Sequence, residues 1–169
     1  MVNKHPLAHH LFLFLVLLLL WVLLAGSLAI DELLAGTIVA ATVTFISAPY
    51  IGVFQGIRFQ PFALVAVFTY LGYFFVELIK ANFDLARRVL SPSLPINPEI
   101  VEIKTNLKSD LGQMLLANSI TLTPGTLSVD LNEDRILVHW IAAPDNVDLN
   151  KATKDIAAGF EKHISGFLQ

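Results

Sequence analysis

The chain has 169 residues, no cysteine and a formal net charge of −3. The absence of cysteine excludes disulfides, thiolate nucleophiles and cysteine metal ligands, and the small net charge gives no electrostatic signature of nucleic-acid binding. Hydrophobic residues make up 55% of the chain and charged residues only 15%, whereas a soluble domain carries about 25% charged residues. The composition therefore excludes a wholly water-soluble protein.

Three apolar runs in the first part of the chain are long enough to cross a membrane. Leu11–Ile30 contains no charge, Leu33–Ile57 is uncharged but contains Pro49, and a third run starts at Phe59 and continues in helical rhythm to Leu90. About 20 apolar residues are needed to cross about 30 Å of hydrocarbon. We therefore predict three membrane segments at about 11–30, 33–57 and 59–90, with the second kinked or shortened near its proline.

A cleaved signal peptide is the alternative for the first run. Lys4 would supply the positive start of such a peptide, and Ser27-Leu28-Ala29 resembles a cleavage site. The run is long for a signal peptide and two more apolar segments follow it. The sequence therefore favours a membrane helix.

The orientation follows from the flanking lysines and arginines, because cytoplasmic loops are enriched in them. If all three segments span, Lys80, Arg87 and Arg88 lie on the side of the C-terminal part, and Lys4 and Arg58 lie on the other. This distribution of three against two predicts that the C-terminal domain is cytoplasmic and the N-terminus is outside.

Charged residues recur at spacings of three and four in the second half of the third segment, which places them on one helix face. The simplest interpretation is a solvated or interfacial stripe. The alternative is that Glu77, the member closest to the bilayer, belongs to a proton or ion path, because ionisable groups inside membranes are usually functional. We expect a structural role, since this residue lies near the end of the segment. The members of the stripe are Glu77, Lys80, Asp84, Arg87 and Arg88.

The remaining residues have the pattern of a small water-exposed domain. Three prolines between Ser91 and Pro98 end the helix and form a linker. A β-branched strand at Glu99–Thr105, a helix capped by Ser109, a hairpin and a final amphipathic helix then give the order β-α-β-β-α. We therefore predict a membrane part at 1–90, a linker at 91–98 and an α+β domain at 99–169, the last a ferredoxin-like fragment.

The segment SITLTPGTLSVD, Ser119 to Asp130, concentrates hydroxyl groups in an otherwise apolar chain. It has no lysine and a single glycine, so it is not a P-loop, and it lacks the G-x-S-x-G nucleophile motif. Pro124-Gly125 is typical of a type II turn, in which glycine supplies a positive φ. We predict a turn from helix to hairpin. The side chains expected to cap backbone groups around it are Thr121, Thr123 and Thr126.

No catalytic, cofactor or metal site is predicted. Ser119 or Ser128 with His139 and Asp130 would be a triad by residue type only, and triads are recognised by geometry. The candidate functional residues are therefore those of a partner interface or a family motif. They are Glu77, Lys80, Asp84, Arg87, Thr121, Thr123, Pro124, Gly125 and Thr126.

The same residues carry a resemblance to a known family. N-S-I-T-L-T-P-G-T-L-S-V-D followed by I-L-V-H-W-I resembles the hallmark of the E subunits of Mrp-type Na+/H+ antiporters, also called Mnh or Pha. The stretches V-E-L-I-K-A-N-F-D-L-A-R-R-V-L-S-P and P-E-I-V-E-I-K-T resemble the same family, MnhE/MrpE. With the leading membrane segments, the resemblance covers nearly the whole chain.

The resemblance implies a small subunit of a multi-subunit complex in a bacterial inner membrane that exchanges Na+ or K+ for protons. It implies an accessory or assembly function, with the other subunits and the lipid bilayer as partners, no nucleic acid, no cofactor and no enzymatic activity of its own. The alternative is a membrane-tethered sensor or adaptor whose α+β module binds a small ligand.

Overall fold

The computed structural model describes residues 6–169, so Lys4 of the orientation argument lies outside the described residues. The chain forms two compact units, one extending to Gln55 and the other running from Gly56 to Gln169.

The first unit is a pair of helices, α1 at Pro6–Ala25 and α2 at Ile30–Ile46. Gly26 ends the first helix with a φ of +62°, a left-handed conformation that glycine adopts without a steric penalty. The helices contact each other through small residues: a Cβ at Gly36 would lie only 2.5 Å from Cδ1 of Trp21. Gly36, Ala40 and Thr44 are the buried residues of α2, which is the small-residue packing common between membrane helices.

The observed helices correct the predicted bounds of the first two segments. The predicted segment 11–30 contains the break after Ala25, because Gly26 leaves the helical conformation. The predicted segment 33–57 is α-helical only to Ile46, and a 3-10 helix at Ala48–Gly56, which includes Pro49, follows it. The shortening near the proline is therefore confirmed. Within residues 6–169, two helices are long and apolar enough to cross a membrane, Leu7–Ala25 and Phe62–Leu90. Helix α2 is slightly shorter, with 17 residues.

The second unit consists of one long helix and a small α+β domain. The long helix, α3, covers Pro61–Leu90. The domain elements follow in the predicted order β-α-β-β and then a helical C-terminal segment. They are β1 at Glu99–Lys104, α4 at Asp110–Leu122, β2 at Thr126–Asn132, β3 at Arg135–Trp140, α5 at Leu149–Ala152, a π-helical turn at Thr153–Ala157 and α6 at Ala158–Ile164.

The three strands form an antiparallel sheet in the order β1-β3-β2. The central strand therefore separates the two strands that α4 connects, which is a split β-α-β arrangement. Alternation along β3 buries Ile136 and Val138 completely and leaves Leu137 exposed, as expected for a sheet with one covered face. Residues of α4 and α6, among them Leu116 and Ile164, complete the core. The ferredoxin-like assignment itself stays a prediction.

The long helix α3 packs on this domain along one face. Tyr70 belongs to the buried core, and Tyr73 and Phe74 pack against it. The compact unit therefore starts at Gly56, whereas the sequence predicted a boundary in the linker 91–98. The two boundaries differ because side chains of α3 form one wall of the domain core. Composition alone does not reveal that this apolar helix packs against the domain.

The end of the chain closes this unit. Ile57 forms a bridge with Leu168, which is buried. The backbone N–H of Gln169 donates to the carbonyl of Gly56 at 3.0 Å, and the N–H of Ser109 donates to the carbonyl of Gln169 at 2.8 Å. Three distant parts of the sequence therefore meet at the start of α3.

Candidate functional site

The hydroxyl-rich segment forms the predicted turn between α4 and β2. Gly125 has a φ of +99°, and the N–H of Thr126 donates to the carbonyl of Thr123 at 3.3 Å. A positive φ at the third position together with this hydrogen bond is the signature of a type II turn. The sequence prediction for Pro124-Gly125 is therefore confirmed.

The threonine hydroxyls around the turn bond to backbone groups. Thr123 Oγ1 donates to the carbonyl of Ser119 at 2.6 Å, and Thr126 Oγ1 donates to the carbonyl of Ile120 at 2.7 Å. These carbonyls belong to the last turn of α4, where a helix has no internal donors left. Thr121 Oγ1 accepts from the N–H of Ser128 at 3.1 Å. All three threonines therefore have the expected capping role.

The two serines of the segment also have packing roles. Ser119, which is 1% exposed, donates to the carbonyl of Leu115 at 2.6 Å and forms a 2.8 Å hydrogen bond with the hydroxyl of Tyr70. Ser128 Oγ donates to the carbonyl of Ala117 at 2.9 Å. Both hydroxyls are therefore engaged in hydrogen bonds that hold the segment against α3 and α4.

Four of the five residues of the charged stripe of α3 form two ion pairs. Lys80 Nζ lies 2.7 Å from Glu77 Oε1, and Arg88 Nε lies 2.7 Å from Asp84 Oδ2. The guanidinium of Arg88 also donates to the carbonyl of Pro95 at 2.7 Å, which ties the helix end to the linker. Exposed ion pairs of this kind contribute little to stability, because water and salt screen them.

The stripe and the turn meet in one groove, which we call the α3 groove. It is a cleft of about 280 Å³ between α3 and the domain. Of the nine candidate residues, it brings together Glu77, Lys80, Asp84, Thr123, Pro124 and Thr126. Thr121, Gly125 and Arg87 are not part of its lining. The other lining residues are Ala81, Trp140, Asp155, Ile156 and Phe160.

Sequence reasoning missed the wall of the groove that comes from the end of the chain. The sequence predicted a final amphipathic helix, but nothing local indicated that its apolar side chains Ile156 and Phe160 meet α3. The π-helical turn at Thr153–Ala157 supplies Asp155 to the groove. Such turns occur mostly as single insertions in α-helices and frequently at functional sites.

The groove combines charged and apolar side chains. It contains three carboxylates and one ammonium group, from Glu77, Asp84, Asp155 and Lys80, beside the apolar surface of Trp140 and Phe160. Across the described residues 6–169, no group of three histidine, cysteine or acidic side chains is arranged to hold a metal ion. The arrangement can bind a segment that combines positive charge with an apolar side chain.

A second charged surface lies at the β2–β3 hairpin and is of a simpler kind. Arg135 Nη1 lies 2.6 Å from Glu102 Oε2, and Lys104 Nζ lies 3.2 Å from Asp134 Oδ2. The hydrogen bond from the Lys104 ammonium holds the pKa of the Asp134 carboxyl below its usual range. These pairs join neighbouring chain segments at the surface, so we assign them a stabilising role only.

Comparison with known proteins shows clear relatives. A family model described as Na+/H+ ion antiporter subunit (MNHE) matches residues 14–166. The Na+/H+ antiporter E subunit of Alkalihalophilus pseudofirmus is 36% identical over 162 residues, covering 94% of this chain and 97% of the relative. The Na+/H+ antiporter E subunit of Bacillus subtilis is 40% identical over 107 residues, covering 63% and 67%.

A solved structure is similar over nearly the full length. It is a chain of the membrane-bound sulfane sulfur reductase, an archaeal respiratory membrane complex. It aligns with a TM-score of 0.81 and 37% sequence identity, over 93% of this chain and 97% of the other.

Proposed function

We propose, because this chain belongs to the family of Na+/H+ antiporter E subunits, that it is an accessory subunit of a multi-subunit monovalent cation/proton antiporter. In this proposal it supports assembly of the complex and does not carry the ion path. It resides in a bacterial inner membrane with its C-terminal domain on the cytoplasmic side, and its partners are the other subunits of the complex.

The distribution of ionisable groups is the observation that carries the accessory role. A path for ions or protons through a membrane needs ionisable or polar groups along the spanning helices. Leu11–Ile30 and Leu33–Ile57 contain no acidic or basic residue, and Glu77 on α3 is paired with Lys80 at the surface. Among the described residues of α1 and α2, the titratable side chains are His9 and His10 near the start of α1 and Asp31 and Glu32 at the start of α2. The rest of both helices therefore offers no series of proton-accepting groups.

The α3 groove is the surface that we assign to another subunit. Its net negative charge complements a basic segment, and its aromatic floor complements an apolar side chain. The turn at Thr123–Thr126 forms one rim, and its hydroxyls are already used by the backbone. The turn therefore gives the groove a fixed shape, as preorganised docking surfaces require.

Charge reversal at Asp155 tests this assignment. This carboxylate is exposed at the groove, so Asp155→Lys should leave the fold intact and repel a basic partner segment. We expect most of the co-purifying subunits to be lost when the variant is isolated from membranes. Asp145→Lys is the matched control, because Asp145 is also exposed but is not part of the groove lining. Equal subunit recovery with both variants, each with native circular dichroism, would contradict the assignment.

A second candidate function is support of a respiratory membrane complex. The observation that favours it is the similarity to a chain of the archaeal sulfane sulfur reductase complex. Purification of the native complex distinguishes the two: recovery of subunits with redox cofactors would indicate the respiratory assembly, and recovery of antiporter subunits without redox cofactors would indicate the antiporter.

A further inference from the structure

The α+β domain lies along most of the length of α3, from the start of the helix to the α3 groove. At its start, the N–H of Arg58 donates to the carbonyl of Phe167 at 3.0 Å, and Gly166 lies against the side chain of Ala66. At its middle, Tyr73 stacks on His163 with a ring separation of 4.5 Å. Further along, the groove begins at Glu77 and ends at Asp84.

This packing conflicts with a membrane crossing. The stretch from Ala66 to Ala81 is about 22 Å long at roughly 1.5 Å per residue, which is most of the hydrocarbon thickness of about 30 Å. If α3 crossed, the domain beside it would lie at the same depth in the bilayer. That would place the exposed Lys162 of α6 and the Asp110 carboxylate at the start of α4 in or near hydrocarbon, where charged groups are costly.

The opposite face of α3 is apolar and exposed. Four phenylalanines on this face have side chains that are 57–79% exposed, namely Phe62, Phe68, Phe75 and Phe83. Exposed aliphatic side chains lie between them at helical spacing. This lipid-facing stripe, as we call it, consists of Phe62, Leu64, Val65, Phe68, Leu71, Phe75, Val76, Ile79 and Phe83.

Basic residues border the lipid-facing stripe at both ends. Arg58 precedes it, Lys80 lies beside its last part, and Arg87 follows it on the edge of the helix. An apolar helix face bordered by lysine and arginine is the pattern of helices that lie in a membrane surface, where the cations meet anionic lipid headgroups. A second protein would cover such a face equally well by shape, but the basic border favours an anionic lipid surface.

The flanking charges support the same topology independently. If only α1 and α2 cross, Lys4, Arg58, Lys80, Arg87 and Arg88 all lie on one side of the membrane, and the acidic pair Asp31-Glu32 lies on the other. All five basic residues of positions 1–90 then obey the positive-inside rule. If α3 crossed as well, only three of these five basic residues would lie on the cytoplasmic side and two would lie outside.

We propose that α3 lies in the plane of the cytoplasmic membrane surface, with its lipid-facing stripe in an anionic lipid monolayer and the α+β domain on its other face. The chain then crosses the membrane twice, through α1 and α2, and both ends are cytoplasmic. The residues from Leu33 to Gln55 are uncharged, so the second crossing can continue beyond α2, which itself has only 17 helical residues.

Cysteine accessibility distinguishes the two topologies. The chain contains no cysteine, so single substitutions report without background. Leu28→Cys, Gln60→Cys and Ser93→Cys place thiols between α1 and α2, just before α3 and just after α3. With the full chain in right-side-out and inside-out vesicles, we expect a membrane-impermeant maleimide to label positions 60 and 93 from the cytoplasmic side only and position 28 from the outside only. Labelling of 60 and 93 from opposite sides would overturn the proposal.

Depth measurements distinguish lipid from a protein partner. Phe68→Cys and Phe75→Cys are labelled with bimane in the full chain, in nanodiscs of phosphatidylethanolamine and phosphatidylglycerol. We expect similar quenching at both positions by shallow spin-labelled lipids and little by deep ones, whereas Asn132→Cys in the hairpin serves as an unquenched control. Different depths for the two positions would indicate a crossing. A photo-crosslinker at Phe75 that captures another protein of the native complex would show a protein-covered face. Either result overturns the proposal.

Discussion

At the scale of single residues, one backbone angle determines the shape of the groove rim. Gly125 has a φ of +99°, and its carbonyl accepts the N–H of Ile141 at 3.0 Å, which joins the turn to the end of β3. A Cβ at this position would meet Ile141 at 3.5 Å, an ordinary contact. The requirement for glycine is therefore conformational and not a matter of space.

Gly125→Ala should lower stability by about 1–2 kcal/mol, the cost of a left-handed conformation for an L-residue. The apparent melting temperature of the purified chain in detergent, followed by circular dichroism, should fall by a few degrees. Gly72→Ala is the control, because Gly72 lies inside α3 with open space around it, and alanine is favoured in helices by up to about 1 kcal/mol. An unchanged melting temperature for Gly125→Ala would contradict the conformational requirement.

Glu77 tests at residue scale whether this subunit takes part in ion transfer. Its carboxylate is 2.7 Å from Lys80 Nζ, so we expect it to stabilise the charged stripe only. Glu77→Gln should leave the pH profile of antiport by the assembled complex unchanged. Lys80→Met removes the same ion pair by deleting the ammonium group, and it should also leave the pH profile of antiport unchanged. A shifted profile in a normally assembled Glu77→Gln complex would place this carboxylate in the ion path and overturn the accessory role.

At the scale of elements, α3 is joined to the domain by polar contacts within an otherwise apolar interface. The Tyr70 hydroxyl and Ser119 Oγ are 2.8 Å apart and buried. Because Ser119 already donates to the carbonyl of Leu115, the tyrosine is the donor in this bond. The contact therefore fixes the rotation of α3 against α4, and with it which helix face is left exposed.

A double-mutant cycle measures this contact. Tyr70→Phe should destabilise the protein by about 0.5–1.5 kcal/mol, the net contribution of a typical hydrogen bond. Ser119→Ala should cost a similar amount, and the double variant should cost less than the sum, since contacting residues couple by about 0.5 kcal/mol or more. Tyr50→Phe is the control, because Tyr50 is 77% exposed. If the two losses of stability simply add in the double variant, Tyr70 and Ser119 are not in contact and α3 does not pack against α4 through this hydrogen bond.

At the scale of the whole molecule, the local parts of the fold were predictable and the packing between them was not. Ser109 Oγ accepts the N–H of Gly112 at 3.2 Å, as its capping pattern predicted. The position of α3 was missed because an apolar residue in a sequence does not state whether it meets lipid or protein. Tyr70 and Tyr73, polar at their tips and placed within an apolar helix, were the signal for a protein-facing side.

The candidate site was predictable to the same extent. Six of the nine candidate residues line the α3 groove, because charge spacing on a helix and a Pro-Gly turn are local patterns. Asp155 and Trp140 were missed, since they approach the stripe only through the tertiary fold.

The closure of the second unit by residues 167–169 has a consequence for synthesis. These residues pair with residues 56–58, about 110 positions earlier, and contacts of such long sequence separation form slowly. At roughly 5–20 residues per second, translation of the positions from 91 to 169 takes about 4–16 s. Throughout that time both apolar faces of α3 are uncovered, and its length matches that of an insertion signal. If the nascent α3 is held at the bilayer surface, lipid covers its lipid-facing stripe during this time. Its other face is covered only when the ribosome releases the C-terminal residues that complete the domain.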